Sequence, residues 1–274
     1  MDTRIECINF DLDSVLYISS DFIEASLFMS LKAMIQMGLK ADLEDGLAKL
    51  REIRSRNSNA KDHFDRLCLH FNKTYDPLVI AAGVEKYWDC KIGFMTSAPE
   101  AHRVLSAFHK KYPLTIVSNG PPVKQAGKIV RLGLSHFFAQ YDGNAGIRGH
   151  FFFSASEENR RKPYPHLWLE AQKAVGFHFS RSVMVGDRYW HDIFGANRLG
   201  MITIKINQGP HADETIQEAF EKKWETEESR SFFSKYHTDE EVFRLLHPDY
   251  TIRGLKELEH TVEVIEGTLQ SPSD

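Results

Sequence analysis

The 274-residue chain is 42% hydrophobic and 26% charged, with 38 acidic against 34 basic residues and a formal net charge of −4. Such proportions belong to a folded globular protein and exclude disordered, collagen-like and coiled-coil readings. The mild acidic excess is the wrong balance for a nucleic-acid or membrane-surface binder, which would carry a basic stripe.

MDTRIECINF lacks the basic and apolar blocks of a signal peptide, and no apolar run approaches the roughly 18 residues that span a bilayer. Cys7, Cys68 and Cys90 are odd in number and form no CxxC pair, so neither a disulfide framework nor a zinc site is expected. A cytoplasmic protein is the expectation. Ile5–Phe10 reads as a buried strand and ends in Asp11-Leu12-Asp13-Ser14. Two carboxylates spaced by two at a strand end face the same side; turn or cap carboxylates are the alternative.

About a hundred residues of mainly helical periodicity follow, including Phe22–Met37, Leu43–Ile53, His63–Phe71 and Leu78–Tyr87. A structureless loop of that size is improbable, so a helical domain inserted after strand one is expected over 17–94. The remaining residues, 1–16 and 95–274, form the core. Leu114–Val117 is the next strand and runs into Ser118-Asn119-Gly120, a turn whose hydroxyl and free N–H groups can cradle an oxyanion.

The helix Pro122–Leu132 precedes a Gly143/Gly146/Gly149 stretch that matches no dinucleotide fingerprint and reads as a turn-rich loop. Lys162-Pro163-Tyr164-Pro165 then opens the helix Pro165–Val175. A lysine there opposes the helix dipole and is either a solvated charge or a cation reaching a bound anion. The strand Ser182–Val185 ends in Gly186-Asp187, and Asp192 stands where it could cap a helix over Asp192–Leu199. Ile202–Ile206 and Tyr250–Ile252 complete the strands. The stretch 211–247 is helix-like and carries ten acidic and five basic residues, so the chain's whole acidity lies in this one segment. Strand alternating with helix predicts an α/β fold, an open doubly wound and mainly parallel sheet whose ligand sits at the carboxyl ends of the strands.

The ordered set FDLDSVL, TIVSNG, KPYP and VMVGDRYWHD resembles the haloacid dehalogenase (HAD) superfamily over about residues 4–206, with Asp249–Leu258 similar to its closing strand and helix. The resemblance implies an HAD-like core with an α-helical cap. It implies Asp11 as nucleophile and Asp13 as acid/base. Ser118 and Asn119 would lie at the phosphoryl group, which Lys162 would neutralise. Mg²⁺ would be held by Asp11, Asp187 and the Asp13 backbone carbonyl, with Asp192 supporting the metal or Lys162. Charge balance points to the same cation. At ~5 Å and an effective dielectric of ~20, each pair of like unit charges costs about 3 kcal/mol, more in total than one lysine offsets.

A halide needs no proton on leaving and an alkoxide does, so Asp13 favours phosphoryl chemistry over carbon–halogen cleavage. Ser14 departs from the Asn, Asp or Gly usual at its position. The expected partner is a small phosphorylated metabolite (sugar, triose or nucleotide phosphate), with neither nucleic acid nor membrane. PPVKQAGKIVRLGL, SEENRRKPYP and GANRLGMITIKINQG are similar to an archaeal glyceraldehyde-3-phosphate phosphatase-like branch, from which Ala139–Phe153 and 211–247 depart by added length. Arg54, Arg56, His63 and Tyr87 are cap residues that could set substrate choice. The alternatives are a phosphomutase on the same scaffold and a non-catalytic binding module using the fold. A receiver domain would be near half this length.

Overall fold

The computed structural model describes residues 4–18, 20–56, 62–141, 146–222 and 238–270. The chain divides into two compact units, one made of Met1–Ile18 with Thr96–Asp274 and the other of Ser19–Met95. Strand β1 (Cys7–Phe10) is fully buried in the first unit. The second unit contains α1 (Ser20–Gln36), α2 (Leu43–Arg56), α3 (His63–Asn72) and α4 (Pro77–Phe94).

Helix α4 begins where the Asp76 carboxylate accepts the N–H groups of Leu78 and Val79 at 3.0 and 3.3 Å, with Pro77 setting the first turn. It runs seven residues past the expected Tyr87, to Phe94. Each helix lends an apolar stripe to one core, in which Leu27, Leu31 and Met34 of α1 meet Leu50, Ile53, Phe64, Leu67 and Val79. Two of the residues expected to set substrate choice are taken up in this packing. Tyr87 lies on the cluster with its ring 6.0 Å from that of Phe64, and His63 is buried at the start of α3. Arg56 pairs with Glu52 at 2.6 Å on the surface.

Back in the first unit, α5 (Ala101–Phe108) leads into β2 (Leu114–Asn119) and α6 (Pro122–Arg131). A hairpin of β3 (Ala139–Tyr141) and β4 (Ile147–His150) precedes β5 (Phe152–Ala155). Helix α7 (His166–Val175) and β6 (Ser182–Gly186) follow, then the short α8 (Gly195–Asn197) and β7 (Ile202–Ile206). Last come α9 (Ile216–Glu221), α10 (Asp239–Leu245), β8 (Tyr250–Ile252) and α11 (Leu258–Gln270).

Six strands form one sheet in the order β5-β2-β1-β6-β7-β8, every neighbouring pair parallel. From β1 the strand order departs both ways, to β2 and to β6, so a crevice is expected at its carboxyl end. Buried Asn9 fixes the register there: its amide donates to Val183 O at 3.1 Å, and its oxygen accepts from Thr115 Oγ1 at 2.6 Å.

Three local expectations change. Phe152–Ala155, which is not among the strands expected from the sequence, is an edge strand paired with β2 alone. The single helix expected over Asp192–Leu199 is instead a π-helical turn, Tyr189–Phe194, followed by α8. Gly146 and Gly149 border and enter β4, while Gly143 lies outside the described residues. In the acidic stretch, α9 and α10 each open with a capping box, Thr215 with Glu218 and Thr238 with Glu241. Their Ala219 and Val242 pack with Leu246 against Tyr189, Ile193 and Phe194; residues 223–237 lie outside the described set. Among the described residues no helix is long and apolar enough to cross a membrane.

Candidate active site

The carboxyl ends of β1, β2 and β6 bring the sequence-predicted residues together. Asp11 leaves β1 with its N–H donating to Val185 O of β6 at 2.9 Å, which pins the residue at the strand end. Lys162 Nζ donates to Asp192 Oδ1 at 2.5 Å and pairs with Asp11 Oδ1 at 2.8 Å. Asn119 holds the Lys162 backbone at both ends: its Nδ2 donates to Lys162 O at 2.9 Å, and its Oδ1 accepts from Lys162 N at 2.7 Å. Asp192 accepts the Arg188 N–H at 3.0 Å on its other oxygen. Its carboxylate therefore tightens the π turn and holds a lysine instead of capping a helix.

Oxygens of Asp11, Asp187 and Asp192 lie within 4.8 Å of one another, all three residues buried. Burial, reinforced by the charges of Asp192 and Asp13 and opposed by Lys162, pushes the Asp11 carboxyl up to about 6. Burial likewise raises Asp187 well above the usual carboxylate range, with Asp192 and Asp11 adding to it. Burial alone would pull Lys162 down, but Asp11 and Asp192 beside it raise it, so it stays a cation. Among the described residues no ion pair reaches Asp187. Three carboxylates against one ammonium, all donor atoms hard oxygens, are the donor chemistry of a divalent cation such as Mg²⁺.

Asp13 stands apart from that cluster. Its Oδ1 accepts from Lys128 Nζ at 2.6 Å and from the Tyr17 hydroxyl, and its Oδ2 accepts from Gln125 Nε2 at 2.7 Å. Burial would raise this carboxyl, but the Lys128 charge and the three donated bonds outweigh it and hold the group below its ordinary range. The same Gln125 nitrogen is 2.8 Å from Ser118 Oγ and 3.1 Å from Asn119 O. Sequence reasoning missed Tyr17, Gln125 and Lys128. The available signal was a Gln and a Lys three apart, hence on one helix face, directly after the Ser-Asn-Gly turn.

The segment after β7 braces the turn that carries Asp13. Gln208 Nε2 donates to Ser14 O and Val15 O, both at 2.8 Å, and Ser14 sits at φ 60°. Buried Lys205 anchors that segment through Asn207 Oδ1 at 3.1 Å and His211 O at 3.3 Å. Nearby, the His191 ring is held well below its ordinary range by burial and by Arg188 and Lys162, and its buried Nδ1 has no hydrogen-bond partner among the described residues.

Gly186 shows how tightly the cluster is closed. A methyl group there would overlap Cβ and Cγ of Asp192. Gly186→Ala is therefore expected to destabilise the protein by about 1–3 kcal/mol, because Asp192 must give up its place beside Lys162. Urea unfolding measures this, and a variant indistinguishable from the parent would contradict it.

Comparison with known proteins gives a consistent set. Residues 5–200 match the family model for haloacid dehalogenase-like hydrolases. A glyceraldehyde 3-phosphate phosphatase of Methanopyrus kandleri is 34% identical over 213 residues, covering 76% of this chain and 87% of that protein. Its counterpart in Pyrococcus furiosus is 34% identical over 212 residues, 77% of this chain and 84% of the relative. Among solved structures, an HAD phosphatase from Thermococcus onnurineus superimposes with a TM-score of 0.56 at 20% identity, covering 94% of this chain and 97% of that one.

Proposed function

The chain belongs to the haloacid dehalogenase-like hydrolases, and from that premise we propose that it is a Mg²⁺-dependent phosphatase of small phosphorylated metabolites. The observation that carries the proposal is Asp11 Oδ1 set 2.8 Å from the buried Lys162 ammonium, in one cluster with Asp187 and Asp192.

The chemistry divides between two carboxylates in unlike surroundings. Asp11 attacks phosphorus, the ester P–O bond breaks, and the leaving oxygen takes a proton from Asp13. Lys128 holds the substrate-free carboxyl below its ordinary range, so the proton it hands on arrives with the substrate, on the monoanion of the phosphate ester, and passes through Asp13 to the leaving oxygen. In the second step water attacks the aspartyl-phosphate, gives its proton back to Asp13 and releases inorganic phosphate, so that one hard displacement becomes two easier ones. The Ser118 hydroxyl and Lys162 hold phosphoryl oxygens, and Asn119 fixes the Lys162 backbone. Asp11, Asp187 and the Asp13 backbone carbonyl would hold Mg²⁺, with Asp192 in support; the bound ion supplies charge neutralisation at the phosphoryl oxygens.

Triose phosphates head the substrate class, because the relatives at 34% identity are glyceraldehyde 3-phosphate phosphatases. A cytosolic setting is in keeping with three free, buried cysteines. The test is phosphate release from a panel of triose, sugar and nucleotide monophosphates with and without Mg²⁺. Release of free phosphate also separates hydrolysis from phosphoryl return to a sugar. No release from any member, or release that ignores the metal, would overturn the proposal.

Metal binding should also show in stability. In the folded protein Asp11 keeps its proton up to about pH 6, whereas the unfolded chain loses it near its ordinary value, so proton-linked stability is present at low pH and lost as pH rises through 6. Mg²⁺ competes with that proton. The melting-temperature gain from added Mg²⁺ is therefore expected to be small at about pH 5 and to grow by several degrees towards about pH 7.5. Scanning calorimetry at both values checks it; a gain that is equal or falls with pH contradicts it.

A further inference from the structure

Helix α6 places two polar side chains on its inward face, beside the apolar Ile129. It buries Gln125 and Lys128 to 2% and 9% exposure while leaving Val123 and Val130 at 88% and 68%. Packing alone would put the valines in and the amide and ammonium out. The buried polar face points at two groups of the site: Gln125 Nε2 reaches Asp13 Oδ2 and Ser118 Oγ, and Lys128 Nζ reaches Asp13 Oδ1.

An N–H donated to Ser118 Oγ occupies one of its lone pairs and leaves the hydroxyl hydrogen to be aimed at another acceptor. One amide thus orients both the hydroxyl assigned to the phosphoryl group and the carboxyl assigned to the leaving oxygen. Gly120 permits it, since a Cβ there would press on Gln125 at 3.2 Å.

We propose that Gln125 and Lys128 are positioning residues that fix Asp13 relative to Ser118, so that the proton donor meets the ester oxygen of a phosphoryl group already held. The inference rests on the phosphatase reading above and adds to it a prediction about which substrates suffer. An alkyl phosphate expels a strongly basic alkoxide and needs the proton; p-nitrophenyl phosphate expels a stable phenolate and needs it far less. Hydrolysis of the aspartyl-phosphate is common to both esters, so kcat/KM, which reports the steps through leaving-group departure, is the quantity to compare.

The experiment measures kcat/KM for glycerol 1-phosphate and p-nitrophenyl phosphate in the parent protein, Gln125→Met and Lys128→Met, with Lys128→Arg as the conservative rescue. Each Met variant is expected to lose about 100-fold on the alkyl ester and at least about tenfold less than that on the aryl ester. Lys128→Arg should recover part of the alkyl activity. Losses equal on the two esters would make the pair merely structural and overturn the proposal, as would no loss on either. Circular dichroism and a thermal melt establish folding; if a Met variant does not fold, Gln125→Glu keeps the side chain's shape while setting a carboxylate against Asp13, and must show the same unequal loss. A parent protein that releases phosphate from neither ester and from no member of the monophosphate panel overturns the phosphatase reading itself, whereas a parent active on both esters with equal losses in the variants overturns only this inference; an alkyl phosphate from the panel replaces glycerol 1-phosphate where the parent prefers it.

Discussion

Asp11→Asn is expected to abolish phosphate release, lowering kcat by about 10⁴-fold or more, while the metal-free protein folds at least as stably as its parent. The two halves have one cause. Asp11 is held where its charge is unfavourable: burial and the neighbouring Asp192 and Asp13 push its carboxyl up to about 6 despite the pairing with Lys162. At about pH 7.5 the folded protein therefore bears the cost of an ionised group that the unfolded chain does not, on the order of 3 kcal/mol. Asparagine keeps the shape and a polar oxygen for Lys162, removes the charge, and removes the nucleophile with it. Lys162 retains Asp192 at 2.5 Å, so no cation is orphaned. Phosphate release and a thermal melt without divalent ions test the pair of outcomes. Activity within tenfold of the parent would dismiss Asp11 as nucleophile, and a melting temperature lowered by several degrees would dismiss the charge argument.

The same division between backbone signal and charge environment decided what could be read from the sequence. Asp11, Ser118 and Asp187 were legible because each ends or follows a short, β-branched, buried strand, and parallel strands deliver such residues to one edge. Lys162 was legible because a lysine at a proline-rich helix start defies the dipole. Gln125 and Lys128 were not, because a Gln and a Lys in PPVKQAGKIVRLGL look like a solvated face, and only the fold shows that α6 turns that face inward. Tyr17 sits four residues past Asp13, in a turn set by Ser14 at positive φ, where no periodicity points to it. Edge strand β5 was hidden for a different reason. Phe152 and Phe153 lie directly after the hairpin, without the Gly, Asn or Asp that bounds a strand, and only pairing with β2 makes them one. Asp192 looked like a helix cap because its side chain does accept a nearby backbone N–H, that of Arg188, but it closes a π turn while also holding Lys162.

Lys162→Met should then be the most destabilising substitution in the site, by about 3–5 kcal/mol at pH 7.5 without metal. The variant leaves Asp11, Asp187 and Asp192 buried, with oxygens within 4.8 Å of one another and no ammonium between them. At that separation and an effective dielectric of ~20, each ionised pair costs about 3 kcal/mol, a cost the carboxyls can escape only by taking up protons. The pH dependence follows with a definite sign. Asp11 and Asp187 already have raised proton affinity in the parent, and removal of the cation raises it further, so at about pH 5 they hold protons and the repulsion is relieved. The loss should therefore be clearly smaller at about pH 5 than at 7.5, and Mg²⁺ should restore part of it at the higher pH by supplying the missing positive charge. The fold around residue 162 has its own support, because Asn119 grips its backbone N–H and C=O whatever the side chain is; the destabilisation measured is thus that of the charges. Urea unfolding at the two pH values, with and without Mg²⁺, reads all three terms. A loss that is the same at both pH values would mean that Lys162 stabilises by packing its stem, and the charge account of the site would fall with it.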